Sequence, residues 1–456
     1  MARAAVQVGP SPVGGRRAAD VPRRIRVLAG AAAAALAVFF GAVWMVAGEA
    51  RDGLRVIGHD AGPQVVATAG LYLALSDMDG QVALALLAGE ERGERRRAAL
   101  ARYERRRGEA GQALLRASAL AGGDAAERRT VQAVLDGLGR YERLAARALL
   151  LDEQAPPGDA PAAALAVYRD AADLMREELL PQAYNLTLES GTIVRRTHDE
   201  TRVALFLGRW GMAAAAVAAL GCLVALQVFL ARRFRRLIGP ALLLATVVTA
   251  VYACAGIAAL GGAAETLTRA KRDGFDAVLS LARARAMSND MHGDQTRYLL
   301  DRERADTYEH TYLNAAQSVY YVEAGNLRQY HQGVARATPA ERRPGFLGDV
   351  LARRPSGAEP LAAYGGFQRA DARMRALAEE RRGEAVALRL GALEKAYDDY
   401  DARLADAARR YVAVFEGAVR EGEDALRDVT FPLPIAVIAA AALLVGGVGP
   451  RLGEYR

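Results

Sequence analysis

Cysteine and histidine are scarce in this chain, which limits the metal and redox chemistry that it can carry. The 456 residues include 2 cysteines and 5 histidines. Cys222 and Cys254 lie inside apolar runs, where they neither cross-link an external domain nor form a thiolate cluster. The histidines show no i, i+4 pair and no Cys/His ligand spacing. We therefore expect no metal or other cofactor, cysteines packed as small residues between helices, and solvent-facing or interfacial histidines.

Charged residues are absent from four long stretches. Residues 27 to 48, 211 to 231, 237 to 264 and 429 to 450 contain no Asp, Glu, Lys, Arg or His. A helix needs about 20 predominantly apolar residues to cross the hydrocarbon core of a bilayer. The sequence therefore predicts a multi-pass membrane protein with four transmembrane helices. The first stretch also resembles a secretory signal peptide, but its apolar run exceeds the usual length of about 7 to 15 residues.

Arginines gather in three short segments next to the spans. Residues 1 to 26 hold six arginines and one acid, and the tail 451 to 456 holds two arginines and one acid. The loop 232 to 236 holds four arginines: Arg232, Arg233, Arg235 and Arg236. These segments carry a net charge of +10 in a chain of net charge +7, which leaves −3 for the rest. Because basic residues are retained on the cytoplasmic side of short loops, both termini and this loop are predicted to be cytoplasmic at the plasma membrane.

Two domain-sized segments, residues 49 to 210 and 265 to 428, lie outside the membrane in this topology. Their apolar residues recur at spacings of three and four, without an alternating β pattern. One such series is Val131, Val134, Leu138, Tyr141, Ala145 and Ala148. The breaks AGGD (121 to 124) and QAPPGDAP (154 to 161) divide the first segment, and the region 320 to 365 is irregular. We predict an all-α membrane protein with four transmembrane helices and two extracytoplasmic four-helix bundles.

The two halves of the chain look like copies of each other. ALSDMDGQVALALLAG (74 to 89) aligns without gaps with AMSNDMHGDQTRYLLD (286 to 301). Both halves share the order of span, bundle and span, which predicts a tandem repeat about an axis along the membrane normal. The single chain would then imitate a dimer, and a homodimer stays open. No Glu closes a calcium loop at Asp77 and Asp79. Because the heptad line runs through both residues, they are interpreted as part of the wet face of a helix.

Motifs of catalysis and transport are missing. There is no Gly-rich phosphate loop before a helix and no serine elbow, so we expect no enzyme. The arginines mark topology and do not form a basic patch on a folded domain, so we expect no nucleic-acid partner. The spans contain no ionisable side chain apart from Tyr252, Cys222 and Cys254, which argues against a transporter.

Several stretches carry a family resemblance. They are AGPQVVATAGLYLALSDMDGQVALALLAG (61 to 89), LDGLGRYERLAARALLLD (135 to 152), LQVFLARRFRRLIGPAL (225 to 242) and KRDGFDAVLSLARARAMSND (271 to 290). With this layout the chain resembles the GlnX-type actinobacterial membrane transducers and, more distantly, the four-helix sensor domains of chemoreceptors. The resemblance implies two protein partners, an extracellular amino-acid-binding lipoprotein and a cytoplasmic Ser/Thr kinase, kinase G.

The distribution of the chain across the membrane leads to a compatible hypothesis. Most of the chain beyond the spans is external, and the cytoplasmic segments are too short to form a folded domain, so a partner must take any output. The sequence thus predicts a signal transducer that relays amino-acid status to a kinase. Arg232, Arg233, Arg235 and Arg236 contact this partner or anionic membrane lipid. The alternative is an envelope scaffold or a transporter-associated membrane protein without signalling output.

Overall fold

The computed structural model describes residues 15–89, 93–120, 125–234, 239–337, 343–351 and 358–453. Nearly all of them are helical, and none of these described residues belongs to a β-strand. Four long helical stretches are apolar enough to cross a membrane: Pro22–Ala88, Ala162–Arg232, Pro240–Leu300 and Arg382–Pro450. The prediction of an all-α membrane protein with four membrane helices is confirmed.

The α-helices of the described chain follow one another with short connections. The first eight are α1 (Gly15–Arg55), α2 (Gly62–Ala88), α3 (Gly93–Leu120), α4 (Ala125–Glu153), α5 (Ala162–Leu174), α6 (Leu180–Phe234), α7 (Pro240–Arg269) and α8 (Asp276–Leu300). The others are α9 (Ala305–Val319), α10 (Leu327–Arg336), α11 (Gly348–Leu351), α12 (Ala358–Glu380), α13 (Arg382–Leu388), α14 (Glu394–Thr430) and α15 (Leu433–Gly453). Gly89, with a φ of 59°, ends α2, because glycine takes this left-handed conformation without strain. The predicted break at 154 to 161 is non-helical, and the one at 121 to 124 lies outside the described residues.

The chain divides into two compact units. The transmembrane unit comprises the described residues up to Leu54, His198–Leu267 and those from Val419 onward. The extramembrane unit comprises Arg55–Thr197 and Thr268–Ala418. The chain passes from one unit to the other four times, and each time it does so within a helix.

Small residues let the helices of the transmembrane unit approach closely. A Cβ atom added to Gly208 in α6 would lie 2.5 Å from Val46 Cγ1 in α1. One added to Gly447 in α15 would lie 2.6 Å from Leu242 Cγ in α7. Gln227 adds a polar contact, because its Nε2 donates to the carbonyl of Leu242 over 2.9 Å. Such close packing and interhelical hydrogen bonds hold helices together in lipid, where hydrophobic burial contributes little.

Large apolar side chains point outward from the transmembrane unit. Val38, Trp44, Val217 and Ile438 are all more than half exposed, which suits helices whose outer faces contact lipid chains. Cys254 is exposed as well. The interpretation of the cysteines as residues packed between helices is therefore wrong for Cys254, because it lies on the outer face of α7.

The heptad seams form the core of the extramembrane unit. In the first segment α2 packs along α3 and α4 packs along α5, and the predicted series from Val131 to Ala148 is buried. In the second segment α8 packs along α9, and α12 packs against α10 and α13. The predicted irregular region contains α10, α11 and loops in which the Leu347 amide donates to the Val319 carbonyl over 2.9 Å.

The two segments meet where α2 packs along α8. Both helices carry the sequence Asp-Met-x-Gly, beginning at Asp77 and at Asp290. The glycines oppose each other, since a Cβ added to Gly80 would lie 3.7 Å from the Cα of Gly293. The predicted bundles thus join in one compact unit, and their boundaries stay a prediction.

π-helical turns recur at matching places in the two segments. In the first segment these turns are Val56–Ala61 and Met175–Leu179. Their counterparts in the second segment are Ala270–Phe275 and Arg389–Leu393. Both pairs are separated by the same number of residues along the chain. The first pair follows directly on α1 and α7, and the second pair precedes α6 and α14. A π-helical turn holds an extra residue, and such turns are often found at functional sites. The matching positions favour the predicted tandem repeat, with an interval slightly longer than that of the gapless sequence alignment.

Candidate functional site

The predicted cytoplasmic contact lies at the end of α6. The side chain of Arg232 is exposed, and Arg233 is the residue before the last one of this helix. Arg235 and Arg236 lie outside the described residues. The contact of these four arginines with lipid or with a protein partner stays a prediction.

Buried ion pairs connect α2 to α3. Asp77 is 2% exposed and accepts hydrogen bonds from Arg102 Nε over 3.0 Å and Arg106 Nε over 2.6 Å. Gln81 Nε2 also donates to it, over 2.8 Å. Burial raises the pKa of the Asp77 carboxyl, but the two guanidinium groups outweigh burial and hold the pKa below its usual value.

A second buried pair connects α2 to α8. Asp79 is 0% exposed and pairs with Arg297, which also donates to Asp294 Oδ1 over 2.7 Å and to Tyr168 Oη over 3.1 Å. The interpretation of Asp77 and Asp79 as a wet helix face is therefore wrong. Both carboxylates are buried because α3 and α8 pack onto the polar side of α2. Arginines from these two helices neutralise them there.

The second segment contains a buried polar cluster around His292. The imidazole is 4% exposed, stacks on Tyr397 with ring centroids 3.9 Å apart and lies 2.9 Å from Glu394 Oε2. Arg389 Nη1 donates to the same Glu394 oxygen over 2.6 Å. Burial and the neighbouring Arg389 lower the pKa of His292. The expectation of solvent-facing or interfacial histidines is wrong for His292, because an aromatic core encloses it.

The partly buried carboxylate of Asp290 has a different environment. Asp290 accepts hydrogen bonds from Tyr72 Oη over 2.7 Å and from Ser76 Oγ. The network continues, as Asn289 Nδ2 donates to Ser76 Oγ over 2.9 Å and Tyr397 Oη donates to Asn289 Oδ1 over 3.0 Å. Burial raises the pKa of the Asp290 carboxyl. Among the described residues, no cationic side chain forms an ion pair with Asp290.

A cavity of about 420 Å³ opens beside this carboxylate and is called the Asp290 cavity here. Its polar lining includes Tyr72, Arg176, Asp290, Asp294 and Thr311. Arg176 Nη1 lies 3.5 Å from Asp294 Oδ1, and its guanidinium lies 5.7 Å from the ring centre of Tyr308. Small-molecule sites combine apolar walls with a few convergent polar groups, and this cavity has both.

Two further clefts in the extramembrane unit are more apolar. They measure about 490 and 500 Å³ and share Val65, Gly70, Val278, Val412 and Glu416 in their linings. The carboxylates in their linings, Glu109 and Glu416, are exposed, whereas Asp290 is partly buried. The Asp290 cavity is therefore the stronger candidate for recognising a polar small molecule.

The sequence did not single out the arginines that organise this interior. Arg102 and Arg106 belong to the run RYERRRGEA, which has the composition of a solvated helix face. Arg389 stands alone in the apolar stretch AVALRLGAL, and Arg297 follows the polar run HGDQT. The only sequence signal is the pair of Asp-Met-x-Gly motifs, whose carboxylates need partners once two helices pack through their glycines.

Comparison with known proteins supports a sensing role. Residues 53–199 match the family model described as an actinobacterial sensor domain. The matched stretch covers α2 to α5, which supply Tyr72, Asp77 and Asp79 to the interior. No curated protein and no solved structure matches the chain. The chain is thus a multi-pass membrane protein whose residues 53–199 are similar to an actinobacterial sensor domain.

Proposed function

We propose that this protein is a transmembrane signal transducer that relays extracellular amino-acid status to a cytoplasmic Ser/Thr kinase, and that it has no catalytic activity of its own. The observation that carries the proposal is the sensor-domain match over 53–199 in a chain with four membrane-crossing helices. The small predicted cytoplasmic portion, which leaves the output to a partner, supports it further.

The path of the chain supplies a route for the signal. α1, α6, α7 and α14 each contain a passage between the extramembrane and transmembrane units. Packed helices switch between discrete arrangements through shifts of about 1 to 2 Å. A change in the packing of the extramembrane unit would therefore move helix ends at the cytoplasmic side, where the kinase reads them.

An extracellular solute-binding lipoprotein is the proposed source of the amino-acid signal. Crosslinking from exposed positions of the extramembrane unit, such as Leu150, would capture this protein in cells and respond to added amino acids. The expected result is a crosslink whose yield changes with amino-acid supply. Recovery of lipids or cell-wall polymers alone would instead favour an envelope scaffold.

The kinase output is tested at the loop 232 to 236. Replacing Arg232, Arg233, Arg235 and Arg236 together with lysine keeps the positive charge that orients the hairpin and attracts anionic lipid. Lysine lacks the planar fork that arginine offers to a carboxylate partner. If these arginines contact the kinase, the variant inserts correctly, but phosphorylation of the kinase substrates no longer responds to amino acids. Normal signalling by a correctly inserted variant would make them lipid anchors and move the kinase contact elsewhere.

A further inference from the structure

Asp77 and Asp290 occupy the same position in the two Asp-Met-x-Gly sequences, yet among the described residues only Asp77 forms ion pairs with arginine. Asp77 accepts hydrogen bonds from the guanidinium groups of Arg102 and Arg106 in α3. In the described part of the chain, the side-chain donors to Asp290 are the hydroxyl groups of Tyr72 and Ser76. Because α2 and α8 pack against each other through their glycines, the two carboxylates have matching places in the two halves of the unit.

The helix α9 follows α8 in the chain as α3 follows α2. It has no arginine at the positions from which α3 contacts Asp77. At the chain spacing that relates Asp77 to Asp290, the counterpart of Arg102 is Ala315 and the counterpart of Arg106 is Val319. Ala315 lines the Asp290 cavity. The second half therefore has open space where the first half has an arginine side chain.

The cations around the cavity form no ion pair with Asp290 among the residues described. Its charged lining residues are two cations, Arg176 and Arg297, and two carboxylates, Asp290 and Asp294. Arg297 pairs with both Asp79 and Asp294, and Arg176 approaches Asp294. Because both arginines are directed to other carboxylates, Asp290 is the carboxylate of the cavity that a positively charged ligand group would pair with.

We propose that the Asp290 cavity binds the ammonium group of a small molecule, in the place that the Arg102 guanidinium takes beside Asp77. The ammonium would donate to the Asp290 carboxylate, which Tyr72 and Ser76 hold in position. If the ligand is an α-amino acid, its carboxylate meets Arg176, which is 26% exposed and only loosely held by Asp294. The proposal rests on the proposed sensor function. It adds that the extramembrane unit itself binds a small ammonium compound.

The site also lies where binding can affect packing. Its polar groups come from α2 (Tyr72), from α8 (Asp290) and from the π-helical turn Met175–Leu179 (Arg176). A ligand that contacts all three would hold these elements together. A ligand that binds only the folded state raises its stability, so thermal unfolding reports binding directly.

The test uses the full chain purified in detergent, with thermal unfolding and calorimetric titration as measurements. The probes are the common L-amino acids tested singly, propylamine as an ammonium without a carboxylate, and propionate as a carboxylate without an ammonium. We expect at least one ammonium compound to bind and raise the unfolding temperature, and propionate to have no effect. Binding by amino acids but not propylamine identifies a zwitterion, and binding by propylamine identifies a simple amine.

Three variants locate the binding. Asp290→Asn is expected to weaken binding by about tenfold or more, because it removes a charge-assisted hydrogen bond. Ala315→Arg introduces the guanidinium that α3 provides to Asp77 and is expected to abolish binding while the protein stays folded. Asn314→Arg adds the same group at an exposed position on the same helix and is expected to leave binding unchanged.

Two results would overturn the proposal. One is that no ammonium compound binds to the wild-type chain. The other is that binding persists unchanged in both Asp290→Asn and Ala315→Arg. The measurement needs no kinase and no lipoprotein, so its failure leaves the proposed relay intact. Loss of the relay with binding preserved would instead refute the proposed function alone.

Discussion

At the scale of single residues, Asp77 and Asp290 show how neighbours decide the state of a buried carboxyl. Burial raises the pKa of both groups. At Asp77 the guanidinium groups of Arg102 and Arg106 outweigh burial, so the pKa falls below the usual value, whereas at Asp290 burial prevails and the pKa is raised. A lowered carboxyl pKa stabilises the fold at neutral pH, and a raised one destabilises it there.

Asp77→Asn is therefore expected to lower the free energy of unfolding at neutral pH by about 1 to 3 kcal/mol, because Arg102 and Arg106 lose the buried carboxylate that they share and keep only more exposed ones. The contribution of Asp77 is present above the usual carboxyl pKa of about 4 and disappears as the pH falls through the lowered folded-state pKa. The difference between wild type and variant should shrink below about pH 4. Chemical unfolding in detergent at several pH values measures it.

Asp290→Asn is the matched control with the opposite sign. Its raised folded-state pKa means that ionisation costs stability at neutral pH and that this cost disappears as the pH falls through the folded-state pKa. The variant should be as stable as wild type or more stable at neutral pH. A loss of stability equal to that of Asp77→Asn would contradict the assignment of Asp290 as a carboxylate without a cation.

Arg297 is expected to be among the most sensitive residues of the extramembrane unit. Arg297→Met leaves Asp79 and Asp294 buried without their shared partner, which should cost about 3 to 5 kcal/mol of unfolding free energy. Arg381→Met removes an exposed pair with Glu384 and should cost about 0 to 1 kcal/mol. Equal effects of the two variants on denaturant unfolding would show that the interior pair is solvated.

At the scale of helices, the close contact of α6 with α1 depends on one missing side chain. Gly208→Leu places a side chain against Val46, whose branched Cβ cannot move away, and should cost about 1 to 3 kcal/mol. Gly211→Leu lies on the same helix with nothing within 4 Å of its added Cβ and should be neutral or slightly stabilising. Thermal unfolding in detergent distinguishes them, and a tolerated Gly208→Leu would mean that α1 and α6 do not pack there.

The helices also differ in how far the sequence specifies them. The spacings of three and four predicted the buried series from Val131 to Ala148. Apolar residues at these spacings line one face of a helix, and that face is stable when it is buried against other helices. The π-helical turns at Val56–Ala61 and Ala270–Phe275 had no such signal. One extra residue in a turn is accommodated by the packing of the helices around it, so local composition does not reveal it.

At the scale of the whole molecule, charge placement predicts the topology. Single cysteines placed at Leu150 and at the C-terminal Arg456, in a chain whose Cys222 and Cys254 are replaced by alanine, report the two sides of the membrane. A membrane-impermeant thiol reagent added to intact cells should label position 150 and leave position 456 unlabelled. Labelling of both positions would place the tail outside and contradict the orientation derived from the arginines.

The sequence by itself determined the helical class and the four membrane crossings. These follow from local quantities, namely long apolar runs and heptad spacing, which each segment carries without reference to the others. The sensor-type domain likewise lies within one continuous stretch, 53–199. Features that depend on a local sequence pattern could therefore be predicted without the structure.

Only the tertiary structure decided the candidate site. Asp77 and Asp79 look like solvated residues until α3 and α8 cover them. Asp290 differs from Asp77 because Ala315 and Val319 stand where Arg102 and Arg106 stand in the other half. The state of a buried charge depends on partners 25 to 218 positions away in the chain. Coulombic attraction and desolvation act through space, so the cavity and its missing cation become visible only when the helices are packed.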